Sequence, residues 1–259
     1  MSLKTLLDLT GRVALVSGGS RGLGLQMAEV LGELGARVAI TARRRDELDQ
    51  ACAHLRELGV QALPVVCDMS DLAAIPAMVD RVIGEFGPID ILVNNAGTSW
   101  SAPTIEHPLE AWNKVITLNL SALFVLTQEV GRRCMVPRRS GKVINIASVQ
   151  GLTGTYPEGM PTLAYNASKG GVINLTRTLA HEWARLGISV NAIAPGYFPT
   201  KMTAPITAAL GSDAAAGMAP MMRIGGPEDL KGATALFASD ACAFITGQTL
   251  AIDGGLTAV

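Results

Sequence analysis

Short apolar, β-branched runs alternate with longer amphipathic stretches along the whole chain. Val13–Val16, Arg37–Thr41, Ala62–Val66, Ile89–Val93, Lys142–Ile146, Ser189–Ile193 and Thr249–Ile252 read as strands. Several are apolar throughout rather than alternating, as parallel strands buried on both faces must be. Parallel neighbours need crossovers. Gly22–Leu34, Asp46–Leu58, Leu72–Phe86, Leu109 to about Val136, Ala164–Leu186 and Pro227–Ala238 have the helical spacing and length to supply them. Gly35, Gly59, Gly87 and Gly187 each follow such a segment, where a left-handed residue ends a helix. Right-handed crossovers then predict an α/β fold: a doubly wound, parallel seven-stranded sheet with helices on both faces. Its ligand crevice lies at the carboxyl ends of the strands. No linker, charge block or repeat divides the chain, so residues 1–259 read as one domain. The weakly patterned stretch Tyr197 to Gly226, rich in Ala, Pro, Met and Gly, is expected to form a substrate lid over 197–226.

Composition narrows the function. Of the residues, 49% are hydrophobic but only 4% aromatic, so the core is expected to consist of Ala, Val, Leu and Ile, packed closely around the 28 glycines. The net charge of −1 comes from interspersed acids and bases, which leaves no basic face for nucleic acid or an anionic membrane. Cys52, Cys67, Cys134 and Cys242 lack a CxxC pair, and His54, His107 and His181 lack metal-ligand spacing, so the expectation is reduced thiols and no metal. Met1 to Arg12 carries only the short apolar patch Leu6, Leu7 and Leu9, broken by Asp8. No long apolar stretch follows, so the expected location is the cytoplasm, and the sequons at Asn119, Asn166 and Asn174 read as chance matches.

Directly after the first strand comes Ser17-Gly18-Gly19-Ser20-Arg21-Gly22-Leu23-Gly24, followed by a helix. Glycines permit a tight turn and close backbone approach, and the helix start offers unpaired N–H groups and a positive dipole end to a pyrophosphate. The spacing is GxxxGxG through Gly18, Gly22 and Gly24. In this the chain resembles the short-chain dehydrogenase/reductase family, whose loop typically reads TGxxxGxG; Ser17 keeps the hydroxyl of the usual Thr. The resemblance runs in motif order from Gly11 to Asp253-Gly254-Gly255 and implies a Rossmann-type oxidoreductase. It also implies that Asp68, with Met69, lies beside the adenine, and that Asn95, Ala96 and Gly97 run along the cofactor. Pro195 and Gly196 would turn the chain over the nicotinamide, with Thr200 touching its carboxamide or phosphates.

Cofactor choice follows from charge. NAD enzymes place an acid roughly twenty residues past the loop to bind the ribose 2′-hydroxyl, and here Ala42 stands there, followed by Arg43, Arg44 and Arg45. A guanidinium pairs instead with a 2′-phosphate, with Arg21 closing from the other side, so the expected cofactor is NADP(H).

Tyr165 and Lys169 are four residues apart, hence on one helix face, and Ser148 ends the fifth strand. A ketone gaining hydride becomes an alkoxide, so the site must deliver a proton and hold a developing negative oxygen. Tyr165 reads as the acid for reduction and the base for oxidation, and Ser148 as the group orienting the substrate oxygen. A cation roughly 4 Å from the phenol at an effective dielectric of ~20 is worth about 4 kcal/mol, enough to bring a group that titrates near ~10 close to neutrality. Lys169 is expected to supply it. The resemblance adds Asn119 as the fourth catalytic residue, holding a water in a proton relay, and a homotetramer built through the long helices and the last strand; Leu175, Leu179 and Trp183 suit either that interface or the core.

Trp100, Gln150, Phe198 and Met202 are candidate pocket residues, and Tyr156 to Pro161 an extra bulge over the site. Within the family the pattern is similar to 3-oxoacyl-carrier-protein reductases and equally to gluconate 5-dehydrogenase-type enzymes. A catalytically silent NADP-sensing or scaffold protein is the reading of another class, opposed by the intact Asn119, Ser148, Tyr165 and Lys169.

Overall fold

The computed structural model describes residues 1–154, 160–204 and 216–258. Strands β1 (Val13–Ser17), β2 (Arg37–Ala42), β3 (Ala62–Val66), β4 (Ile91–Asn94), β5 (Gly141–Ile146), β6 (Ile188–Pro195) and β7 (Thr249–Ile252) form one sheet ordered β3-β2-β1-β4-β5-β6-β7. Every pairing is parallel. All seven predicted strands are present. β4 starts later than the apolar pattern suggests because the Asp90 carboxylate itself accepts the Val13 amide at 2.8 Å, and pairing begins at Ala14 with Ile91. The order reverses between β1 and β4, where a doubly wound sheet opens its crevice.

The helices are α1 (Leu3–Leu7), α2 (Gly22–Glu33), α3 (Arg45–Glu57), α4 (Ile75–Phe86), α5 (Leu109–Ile116), α6 (Ala122–Val130), α7 (Val136–Arg138), α8 (Leu163–Trp183) and α9 (Lys231–Ala238). The glycines expected after α2, α3, α4 and α8 have left-handed φ values, from 69° to 99°. Residues 72–74 form a 3-10 turn before α4, since Asp71 caps the turn and Pro76 fits only a helix's first turn. The long segment from Leu109 stays helical but widens to π-helix at Thr117–Ser121 and Gly131–Met135. At Gly131 the cause is visible: a Cβ there would lie 2.6 Å from the Trp183 ring.

Apolar clusters cover both sheet faces, one around Leu31, Ile40, Leu55 and Phe237, the other around Val82, Leu92, Leu126 and Trp183. Trp183 is therefore core, and Leu179 packs against the same cluster. A row of buried polar groups crosses this interior. Asn94 Nδ2 donates to Thr127 Oγ1 and to Asn145 Oδ1, both at 2.9 Å, and Asn145 Nδ2 donates to Thr176 Oγ1 at 2.9 Å. The row fixes β4 and β5 against α6 and α8, and α8 carries Tyr165 and Lys169. Asn145→Ala removes one of the Asn94 amide's two acceptors and the donor to Thr176, and is expected to cost about 1–3 kcal/mol. The check is a lowered urea midpoint at unchanged m-value; a midpoint equal to wild type would show the row contributes nothing.

Candidate active site

One cleft of about 930 Å³ opens along the carboxyl ends of the strands. Gly18 follows β1, Ala42 ends β2, Cys67 to Met69 follow β3, Asn95 to Gly97 follow β4, Ile146 to Ser148 end β5, and Pro195 and Gly196 end β6; all line it. The glycine loop forms one end. Gly18 and Gly22 have φ of 65° and 54°, and a Cβ on Gly24 would lie 2.2 Å from the Gly18 carbonyl oxygen. Helix α2 begins at this loop without a side-chain cap, so its N-terminal dipole faces the cleft. These features fit the diphosphate of a dinucleotide.

Ser17 stands behind this wall rather than in it, 2% exposed. Its Oγ accepts the amides of Asn95 at 3.0 Å and Ala96 at 3.1 Å, while Asn95 Nδ2 donates to the carbonyls of Ser17 and Gly18, each at 3.0 Å. The β1 and β4 turns thus hold each other across the switch point.

Next to the loop lies a charged mouth. Arg21 Nη1 donates to both oxygens of Glu47, at 2.8 and 3.0 Å, and Arg44 donates to Asp46 at 2.6 and 3.2 Å. Arg44 Nη1 and Lys201 Nζ also lie 3.4 and 3.5 Å from Glu47 Oε1. Arg43 lines the same mouth and, among the described residues, has no ion pair or side-chain hydrogen bond.

At the other end Tyr165, on the first turn of α8, lines the cleft together with Ser148. Burial pushes the phenol above its ordinary value, while Ser148 pulls the other way. Lys169 is 4% exposed; its Nζ donates to the Ile146 carbonyl at 2.6 Å and sits 5.6 Å from the Tyr165 ring centroid. Among protein groups alone, the expected lowering of the phenol by Lys169 is thus not found. Desolvation dominates the phenol's titration.

Asn119 lies in the π-helical turn, 1% exposed and outside the cleft lining. Its Oδ1 accepts the Thr98 amide at 2.8 Å, and its Nδ2 donates to the Thr98 carbonyl at 2.9 Å and to Ser168 Oγ at 3.0 Å. Ser168 Oγ in turn donates to the Tyr165 carbonyl at 2.7 Å. The amide is fully engaged in tying the loop after β4 to α8.

The model of the short chain dehydrogenase family matches residues 12–211. The chain belongs to the short-chain dehydrogenase family. It is an oxidoreductase of the kind that acts on CH–OH and C=O groups. Similar family members include a gluconate 5-dehydrogenase of Gluconobacter oxydans, 39% identical over 259 residues with 99% of each chain covered. Another is a 3-oxoacyl-[acyl-carrier-protein] reductase of Escherichia coli, 37% identical, covering 96% of this chain and 99% of the relative. Among solved structures, a gluconate 5-dehydrogenase of Burkholderia cenocepacia in complex with NADP and tartrate superposes with a TM-score of 0.92 at 37% identity, covering 100% of both chains.

For a short-chain dehydrogenase, the structure brings together most of what the motifs suggest. Ser148, Tyr165 and Lys169 share the cleft with Gly18, Ser20, Arg21, Gly22, Leu23, Gly24, Arg43, Arg44, Asp68, Met69, Asn95, Ala96, Gly97, Pro195, Gly196 and Thr200. Of the pocket candidates, Phe198 and Met202 line it, whereas Trp100 and Gln150 do not. Residues 156–159 of the expected bulge and 205–215 of the expected lid lie outside the described residues; 198–204 line the cleft. Among the described residues no group of acids, histidines and cysteines is placed to hold a metal, and no helix is long and apolar enough to cross a membrane. The four cysteines are free and buried.

Sequence reasoning missed Glu47, whose signal was its place three residues after Arg44, where helical neighbours pair. It also missed Gly151. A Cβ there would lie 2.6 Å from the Lys169 carbonyl carbon, so only glycine lets α8 approach the end of β5 and bring Tyr165 to Ser148.

Burial lowers Lys169 from 10.5 to about 8. Below that pH the folded chain holds a buried charge that the unfolded chain keeps in water, a penalty of about 3 kcal/mol. Between about 8 and 10.5 the folded form has shed its proton and the penalty fades. Lys169→Met removes the charge, so its urea midpoint is expected to exceed wild type at neutral pH, with the gain shrinking toward pH 10. A variant less stable than wild type at pH 7 would contradict this.

Proposed function

We propose that this short-chain dehydrogenase uses NADP(H) and interconverts a ketone and a secondary alcohol on a small substrate. The observation that carries the reading is that Tyr165, Ser148 and the buried Lys169 line the same cleft as the glycine loop. Bound there, the nicotinamide ring supplies or accepts the hydride.

Everything else is work for the chain's own side chains. Tyr165 gives its phenolic proton to the substrate oxygen in reduction and takes it back in oxidation. Ser148 donates a hydrogen bond to that oxygen and fixes its orientation. Lys169, whose Nζ lies over the ring, favours a phenolate when it is charged. It therefore acts once the proton has left, rather than in the resting phenol. Asn119 holds the α8 start and the Thr98 loop in register, and any relay of protons toward Lys169 passes along this edge. Arg43, which has no ion pair among the described residues, takes the 2′-phosphate first, joined by Arg21 and Arg44.

The first substrate class is a 3-oxoacyl thioester or other neutral ketone, supported by the apolar wall of Leu118, Phe198 and Met202. A gluconate-type sugar acid is the second, supported by the named relatives. The segment from Tyr197 is read as a substrate lid, and proteolysis that is identical with and without NADPH would count against it. The working form is proposed to be a cytoplasmic homotetramer. The free thiols support the location, and exposed Phe124 and Leu250, on α6 and β7, support the assembly; light scattering measures it.

A phenol raised by burial stays protonated at neutral pH and is ready as an acid. Carbonyl reduction by NADPH is thus expected to hold steady at neutral pH and fall at alkaline pH, while alcohol oxidation rises with pH. Tyr165→Phe is expected to lower kcat about a thousandfold with NADPH affinity within about twofold of wild type, measured by fluorescence titration. Near-normal turnover in that variant would remove the mechanism and favour a different role for the cleft. Preference for NADPH over NADH, reduced about tenfold or more by Arg43→Ala, tests the cofactor.

A further inference from the structure

The mouth of the cleft holds its cations on a tether. Glu47, in the first turn of α3, is the one carboxylate among the described residues that touches three of them, from three separate segments: Arg21 of the glycine loop, Arg44 before α3, and Lys201 after β6. Its side chain is only 16% exposed, so its charge is less screened by solvent than those of its partners. Both Glu47 oxygens are bonded to the same Arg21 nitrogen, and the Nε and Nη2 donors of Arg44 are spent on Asp46. A phosphate arriving at this mouth meets Arg43 without a competitor but must draw Arg21 away from an acid already in place.

We propose that Glu47 is a specificity-determining residue, an internal anion that competes with the 2′-phosphate for Arg21, Arg44 and Lys201. This rests on the NADP(H) reading above. A phosphate dianion beside Glu47 is repelled by it and loses part of the cations' attraction, whereas a ribose 2′-hydroxyl is neutral and finds in the carboxylate an acceptor. Glu47 therefore holds down discrimination between phosphorylated and unphosphorylated cofactor, and it keeps the segment carrying Lys201 drawn toward α3 until phosphate exchanges for the carboxylate. Removing its charge while keeping its shape makes the site more selective for phosphate.

Calorimetric titration of the full chain with adenosine 2′,5′-bisphosphate and with 5′-AMP tests this without turnover. Glu47→Gln is expected to bind the bisphosphate about fivefold tighter or more, with 5′-AMP unchanged within about twofold. Glu47→Asp, which keeps the charge but withdraws it by one methylene, is expected to show a smaller gain in the same direction. Equal changes for both ligands, or weaker bisphosphate binding in Glu47→Gln, would overturn the proposal and make Glu47 a support for Arg21. Should Glu47→Gln fail to fold, an unchanged ligand ratio in Glu47→Asp overturns it as well. Wild type that binds both adenosines equally overturns the NADP(H) reading itself; wild type that prefers the bisphosphate, with a ratio unmoved by Glu47→Gln, overturns only the role of Glu47.

Discussion

An ammonium enclosed by protein needs a partner oxygen, and for Lys169 that partner is the carbonyl of Ile146 at the last position of β5. The contact does two things at once. It binds α8 to the end of a central strand, and it sets the distance between the groups flanking it, since Ser148 follows Ile146 by two residues and Tyr165 precedes Lys169 by one helical turn. Gly151 makes the approach sterically possible, and the Asn94–Asn145–Thr176 row holds the same strand and helix in register one layer deeper. The placement of Tyr165 near Ser148 is therefore a consequence of how a helix is fastened to a sheet.

That fastening explains which parts of the molecule were legible in the sequence. The seven strands were readable because a parallel sheet buried on both faces demands continuous β-branched runs, and the helix ends because left-handed φ selects glycine. Tyr165, Lys169, Ser148 and the glycine loop were readable because each stands at a fixed offset from a strand end. What escaped notice acts through hydrogen bonds or through the lack of a side chain. Asn119, named for a proton relay, and Ser17, named for the cofactor loop, were picked out by residue type, but not their bonds: the first braces Thr98 and Ser168 and the second holds the Asn95 and Ala96 amides. Only the three-dimensional course of the chain shows where a buried polar group spends its donors.

The direction of the tyrosine's titration escaped for a related reason. Sequence spacing puts an ammonium one turn from a phenol but says nothing about which side of the ring it takes or how much water remains nearby. With Nζ bonded to the Ile146 carbonyl, the amine lies over the ring, and desolvation dominates the phenol's titration. A proton donor that stays protonated suits reduction. The same amine then becomes useful after the proton leaves, because a phenolate gains from a nearby charge what a neutral phenol does not.

An amine lowered to about 8 by burial and a phenol raised above its ordinary value by burial meet at one end of the cleft. A protein that only bound a dinucleotide would need the glycine loop and the open helix end, but it would gain nothing from burying Lys169 against β5, and replacing that amine by an apolar side chain would make it more stable. An amine buried against β5 at a cost to folding is what the proposed proton transfer at Tyr165 would use and binding alone would not.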